Sequence, residues 1–253
     1  HHTPEFYREM WQTIREDSFW RGEVWNRKKS GEIFVELLTI STVRDRQGEI
    51  SHFVGIFSDI TLLKEHQQRL EHLAHFDPLT QLPNRMLLAD RMQLAMAQTE
   101  RSGKILGVCY LDLDGFKPVN DLYGHATGDR LLIDVAQRLK SCVRGGDTVS
   151  RLGGDEFVML LSGLDSVHEC DLAVGRVIHL LTQPFQISGH SIAISASIGV
   201  TLFPHDGADA DALLRHADQA KYEAKQGGRN RHHLFDPEND RRARQRREEV
   251  SEV

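Results

Sequence analysis

The 253-residue chain has room for one large domain or two smaller ones with a sizeable core, and its composition, 40% hydrophobic and 27% charged, is that of an ordinary globular protein. A formal net charge of −6 offers no basic surface for nucleic acid or anionic membrane, and no apolar run reaches the ~18 residues that a membrane helix needs. Cys109, Cys142 and Cys170 are far apart and lack C-x-x-C spacing, which argues for free thiols in a reducing cytoplasm rather than zinc or disulfides. No secretory signal pattern opens the chain.

A short amphipathic helix opens residues 1–61, and alternating segments at Trp20–Asn26, Ile33–Leu38 and His52–Phe57 read as three antiparallel strands. Ser30-Gly31 and Arg46-Gln47-Gly48 supply the turns. Three strands and one helix bury little alone, so this segment reads as the back half of a domain. Residues 62–75 contain neither Gly nor Pro and place Leu63, His66, Leu70 and Leu73 at a and d heptad positions. With only two heptads, a linker helix packed on its own domain and a dimer seam are equal readings.

From residue 76 helices and strands interleave: a helix near 84–101 behind Pro83-Asn84, a strand at Ile105–Leu111, and a helix near 129–142 with Leu131, Leu132, Val135, Ala136 and Leu139 on one face. A hairpin pinched at Gly153-Gly154 follows, then a helix near 169–183 and strands near 190–195 and 197–203. A helix near 209–226, with Leu213, Leu214, Ala217, Ala220 and Ala224 inward, and a strand near 231–235 complete the pattern. The expected fold is α/β (α+β), a mostly antiparallel sheet flanked by helices. The arginine-rich stretch from Arg229 to Arg247 is interrupted by Asp236, Glu238 and Asp240 and reads as a solvated helix or linker rather than a nucleic-acid arm.

The chemistry gathers at two places. Strand Ile105–Leu111 runs into Asp112-Leu113-Asp114-Gly115-Phe116-Lys117, and the Gly153-Gly154 turn is followed by adjacent acids, Asp155 and Glu156. Glycines leave the turn's backbone open to close approach by another molecule. If Asp112, Asp155 and Glu156 converge, each like-charge pair ~4 Å apart costs roughly 4 kcal/mol at an effective dielectric of about 20. Mg²⁺ would remove that repulsion, since it takes hard oxygen ligands together with substrate phosphates. Two such ions could promote in-line phosphoryl or nucleotidyl transfer. Ordinary acids in two surface turns are the competing reading.

Arg151-Leu152-Gly153-Gly154-Asp155-Glu156-Phe157 resembles the signature of GGDEF-domain diguanylate cyclases. The resemblance extends over residues 76–236 through Asp77–Arg85, Asp112–Asp129, Ser195–Val200 and Ala217–Asn230. It implies a nucleotidyl-cyclase-like domain at 76–237 that condenses two GTP into cyclic di-GMP, with two active sites facing each other across a homodimer. It further implies that Asp112, Glu156 and the Leu113 carbonyl ligate Mg²⁺ (or Mn²⁺). Asp155 would share the metal or help deprotonate the attacking 3′-hydroxyl, and which acid is the base stays open. GTP would be held by Phe116, Lys117 and Gly154 near the loop, by Lys225 and Arg229 (one helical turn apart) at the terminal phosphates, and by Asn120, His125 and Asp129 at guanine. Without the resemblance, Lys225 and Arg229 read as solvated charges at a helix C-terminus and Asp129 as a helix N-cap. A carboxylate at position 129 accepts from guanine N1–H and N2–H₂ and repels adenine, which favours GTP over ATP. Arg144-Gly145-Gly146-Asp147 matches the family's inhibitory product site, with Arg176 as a secondary contact; an arginine reads guanine O6 and N7 bidentately.

Trp20–Glu23, Asn26–Gly31 and Asp59-Ile60-Thr61 resemble the closing strands of a PAS domain, which assigns 1–61 to its C-terminal part and 62–75 to a signalling helix. The segment 238–253 resembles a linker toward an EAL phosphodiesterase domain, so a longer PAS-GGDEF-EAL parent, anchored upstream or not, is expected. The alternative function is a catalytically silent module that binds GTP or cyclic di-GMP and controls such a phosphodiesterase. No nucleic-acid or membrane contact is expected of the segment itself.

Overall fold

A computed structural model describes residues 2–207 and 209–236. The expected linker at 238–253 and most of the arginine-rich stretch lie outside the described residues. The chain divides into two compact units, His1–His72 and Leu73–Val253.

The first unit opens with helix α1 (Pro4–Asp17), started by Pro4 at its first position and by Thr3, whose hydroxyl accepts from the Phe6 N–H. Strands β1 (Phe19–Arg27), β2 (Ile33–Arg44) and β3 (Ile50–Asp59) form an antiparallel meander in that order. α1 covers part of one face with Met10 and Ile14, packed on Ile40, Leu38 and Trp20. β3 is less covered: Phe53 meets Trp11 of α1 edge-on at 5.3 Å, yet Phe53, Val54, Ile56 and Phe57 are all about half exposed or more, 47–66%. Helix α2 (Thr61–His75) then carries the chain into the second unit. Leu63, Leu70 and Leu73 are 64%, 67% and 46% exposed, so the reading of this helix as packed on its own domain is corrected.

The second unit is built on a five-stranded sheet ordered β10-β9-β4-β6-β5. β4 (Ile105–Asp114) is central, between β6 (Glu156–Leu164) and β9 (Ser195–Phe203); β5 (Thr148–Gly153) and β10 (Arg231–Leu234) lie at the edges. Every pairing is antiparallel except β10 on β9. β4 is buried along nearly its whole length, and alternate side chains feed two cores, as the strand's two-residue period requires. Cys109, Leu111 and Leu113 face a core shared with α5 (His125–Cys142) and α6 (Val167–Leu181). Leu106, Val108 and Tyr110 face a second core with α3 (Arg85–Ser102) and α7 (Ala210–Gln226). The sheet is thus covered on both sides, as expected for an α/β sandwich.

Three details depart from the sequence reading. Residues Phe116–Tyr123, to which the sequence reading assigned no element, form a short helix, α4. The segment near 190–195 is shorter: β8 (His190–Ile192) pairs with β7 (Phe185–Ile187) in a separate hairpin. The hairpin turn lies one residue later than expected, at Gly154-Asp155, because Gly153 still pairs with Glu156 across β5 and β6. Gly153 and Gly154 take φ of 145° and 51°, conformations that side chains disfavour.

Candidate active site

The strand register assembles the acids. Asp112 on β4 stands directly opposite Glu156 on β6, so both side chains leave the sheet on one face at its end. Asp155 follows from the turn, and its carbonyl accepts from the Leu113 N–H at 3.3 Å. Asp112 is 8% exposed. Burial, and then the charge of Asp112, push the Asp155 carboxyl above its ordinary range.

The face carrying Asp112 and Glu156 continues the row of Tyr110 and Val158, which α7 covers. Leu213 and Ala217 of α7 pack on that apolar row, and Lys221 and Lys225 extend the same i+4 stripe over the acids. Lys225 Nζ reaches Asp112 Oδ1 at 2.6 Å, and Lys221 Nζ reaches Glu156 Oε1 at 2.9 Å. The Tyr110 hydroxyl donates to Glu156 Oε2 at 3.1 Å; burial, then the Glu156 charge, push its pKa up to about 12, so it stays protonated. α7 comes this near because β9 has glycine at 199: a Cβ there would lie 1.9 Å from the Ala217 carbonyl oxygen and 2.1 Å from the Lys221 nitrogen.

Asp114, two residues beyond Asp112 and also buried, accepts from the Ser195 and Ser197 hydroxyls at 2.8 Å each and from the Asn230 N–H at 3.2 Å. Arg229 lies 4.0 Å from it. Arg229 and Lys225 do not share a helix, however. α7 stops at Gln226, and Gly227-Gly228 turn the chain so that Arg229 sits at φ 59° beyond it.

Phe116 and Lys117 form the first two positions of α4, whose N-terminus has no side-chain cap. A helix start leaves its first N–H groups without intrahelical partners, which makes those of Phe116 and Lys117 candidate anion donors; Pro118 after them carries none. Asn120 lies on α4 and Asp129 inside α5, five residues into the helix, which removes the N-cap reading; the flanking residue is Gly124. Asn120 and α5 meet at Gly128, where a Cβ would lie 1.9 Å from Asn120 Oδ1. His125, Asp129 and Lys117 are exposed.

Arg144, Asp147, Arg176 and Glu169 line one hollow with Ser162 and Cys142. Asp147 accepts from the Arg144 and Ser162 N–H groups at 2.8 and 2.9 Å, and Arg144 bonds Glu169 at 3.0 Å. The opening motif is tied to the hairpin: Arg151 forks onto both oxygens of Asp77 at 2.9 and 3.1 Å while donating to the Gly154 carbonyl at 2.7 Å. The sequence reading gave no role to Lys221, Asp114, Tyr110 or the Arg151–Asp77 pair. The i+4 spacing from Lys225 and the i+2 spacing from Asp112 were the available signals.

The oxygen-only donor set of Asp112, Glu156 and Asp155 suits a hard divalent cation. Among the described residues, though, no three Asp, Glu, His or Cys side chains gather as a ready-made metal cage. No described helix is long and apolar enough to cross a membrane.

Comparison with known proteins places residues 74–231 in the family described as diguanylate cyclase, GGDEF domain, and residues 2–62 in that of the PAS domain. MucR of Pseudomonas aeruginosa, a bifunctional diguanylate cyclase/cyclic di-GMP phosphodiesterase, is 47% identical over 176 residues, covering 70% of this chain and 26% of that protein. The cyclic di-GMP phosphodiesterase PdeR of Escherichia coli is 41% identical over 73% of this chain and 28% of its own length. The solved GGDEF domain of TpbB from Pseudomonas aeruginosa superposes with a TM-score of 0.65 at 36% identity, covering 67% of this chain and 99% of that one. The chain therefore spans only about a quarter of the length of MucR and PdeR. By its fold, its ordered motifs and this match, the chain belongs to the GGDEF-domain diguanylate cyclase family and carries a PAS segment ahead of that domain.

Proposed function

We propose that the chain is a Mg²⁺-dependent diguanylate cyclase that joins two GTP into cyclic di-GMP and two pyrophosphates, working as a homodimer with product inhibition. The observation that carries this reading is the cross-strand Asp112–Glu156 pair with Asp155 beside it, at the end of a buried strand. Asp112, Glu156, Asp155 and the Leu113 carbonyl would hold Mg²⁺ or Mn²⁺, which when bound neutralises phosphate charge and acidifies the attacking hydroxyl.

The chain's own residues supply the rest. The α4 N-terminus, through Phe116 and Lys117, and the open backbone at Gly154 receive phosphate oxygens. Lys225 and Arg229, paired with Asp112 and Asp114, exchange those carboxylates for the terminal phosphates. Asn120, His125 and Asp129 hold guanine across the α4–α5 junction. Asp155 would share the metal or accept the proton from the 3′-hydroxyl as that oxygen bonds the α-phosphorus and pyrophosphate leaves. Arg144, Asp147 and Arg176 form the product site, where cyclic di-GMP displaces Glu169 from Arg144. In a longer parent an EAL domain would follow the 238–253 linker.

The test is incubation with GTP and Mg²⁺ and separation of the products, beside Glu156→Ala. The wild type is expected to make cyclic di-GMP and the variant to lose at least about a hundredfold in rate, the scale of removing a group that acts on transition-state charge. GTP binding without product would replace this reading with the silent regulatory module; PdeR, named for phosphodiesterase activity, is 41% identical over 73% of this chain.

A further inference from the structure

Lys221 is a charged residue only 7% exposed, one helical turn before Lys225. Its Nζ lies 2.9 Å from Glu156 Oε1 and 2.7 Å from Asp218 Oδ1, and 4.3 Å from the centroid of the Tyr110 ring. An ammonium is seldom buried unless partners replace its water, and here two carboxylates and an aromatic face do so. The two lysines on the stripe differ in freedom. The Lys225 side chain is 33% exposed and can swing toward a ligand, whereas that of Lys221 is 9% exposed and boxed between Glu156, Asp218 and Tyr110.

Resting on the reading that Asp112 and Glu156 hold the metal, we infer that Lys221 is a fixed cation of the metal site, sharing Glu156 with the divalent ion. Its charge opposes a second cation on the same carboxylate, so the site takes metal together with nucleotide phosphates rather than alone. The negative charge that the phosphates bring offsets the repulsion that the ammonium imposes. Nucleotide and metal then raise each other's affinity by the same factor. Lys221 is in this sense a positioning residue: it holds Glu156 in place before substrate arrives and keeps the empty site from filling with free metal.

The test is titration of the full chain with Mn²⁺ alone, following free Mn²⁺ by its paramagnetic resonance signal. Lys221→Gln keeps a donor toward Glu156 and removes only the charge; Lys221→Met removes both. The wild type is expected to bind Mn²⁺ weakly. Both neutral variants should bind at least about tenfold more tightly, the least that losing a like charge a few ångströms away implies. Lys221→Arg should behave as the wild type. Equal affinities in the wild type and the neutral variants overturn the inference while leaving the Asp112–Glu156 assignment intact. Mn²⁺ affinity left unchanged by both Asp112→Asn and Glu156→Gln shows that the metal sits elsewhere, and overturns both.

Discussion

Asp77 and Arg151 are separated by 74 positions, yet they form a nearly dry ion pair, their side chains 15% and 9% exposed. Burial alone would raise the Asp77 pKa, but hydrogen bonds from the Thr80 hydroxyl and N–H and from Arg151 hold it below its ordinary 3.8. A carboxylate with a depressed folded pKa adds stability that is complete above the unfolded value and disappears as pH falls through the folded one. The urea midpoint of the second unit should therefore drop between pH 5 and pH 3 by less in Asp77→Asn than in the wild type, windows set by a carboxylate near ~4. Arg151→Met, which leaves Asp77 buried without its partner, should cost about 3 kcal/mol by the same measurement at pH 7. Arg144 is the contrary case, a 68%-exposed side chain in a surface pair with Glu169. Arg144→Ala should shift stability by less than about 1 kcal/mol, while cyclic di-GMP stops inhibiting turnover; inhibition unchanged in this variant would remove the product-site assignment. The acids at 112, 155 and 156 were legible in the sequence because a strand end and a glycine turn announce them. Lys221 was not, since a lysine in an amphipathic helix reads as solvent-facing until the sheet beneath it turns acidic.

At the scale of elements, the site depends on α7 lying close to β9, and that closeness depends on Gly199. Gly199→Ala puts a methyl group where the Ala217 carbonyl and the Lys221 N–H stand, so the helix must lift. We expect about 3 kcal/mol of destabilisation, read as a lowered melting temperature, together with loss of activity beyond the loss of folded protein. Retained activity and stability would show that α7 does not need this approach. The long periodic elements were readable in advance: α5 and α7 announce themselves by their apolar stripes, and β4 by its run of buried residues. The short ones were not. α4 has eight residues between Gly115 and Gly124 with a proline in its first turn, and β7 has three. Such segments carry too few periods for a pattern to stand out, and tertiary contacts decide them.

For the whole molecule, the proposed condensation of two GTP would need two sites, and the described residues of one chain offer one candidate. The bare leucines of α2, at a and d spacing, fit the seam of a parallel pair of helices that would bring two copies together. Leu70→Lys, at a position 67% exposed in the single chain, should leave the fold intact, reduce the dimer seen by light scattering and lower specific activity at equal protein concentration. A fully active monomer would contradict this arrangement. The central claim is tested most directly by following pyrophosphate and cyclic di-GMP together as the purified chain consumes GTP with Mg²⁺, beside the Glu156→Ala control. The account predicts two pyrophosphates for each cyclic di-GMP, and neither product from the variant. Release of GDP and phosphate, or GTP bound and left intact, would contradict it.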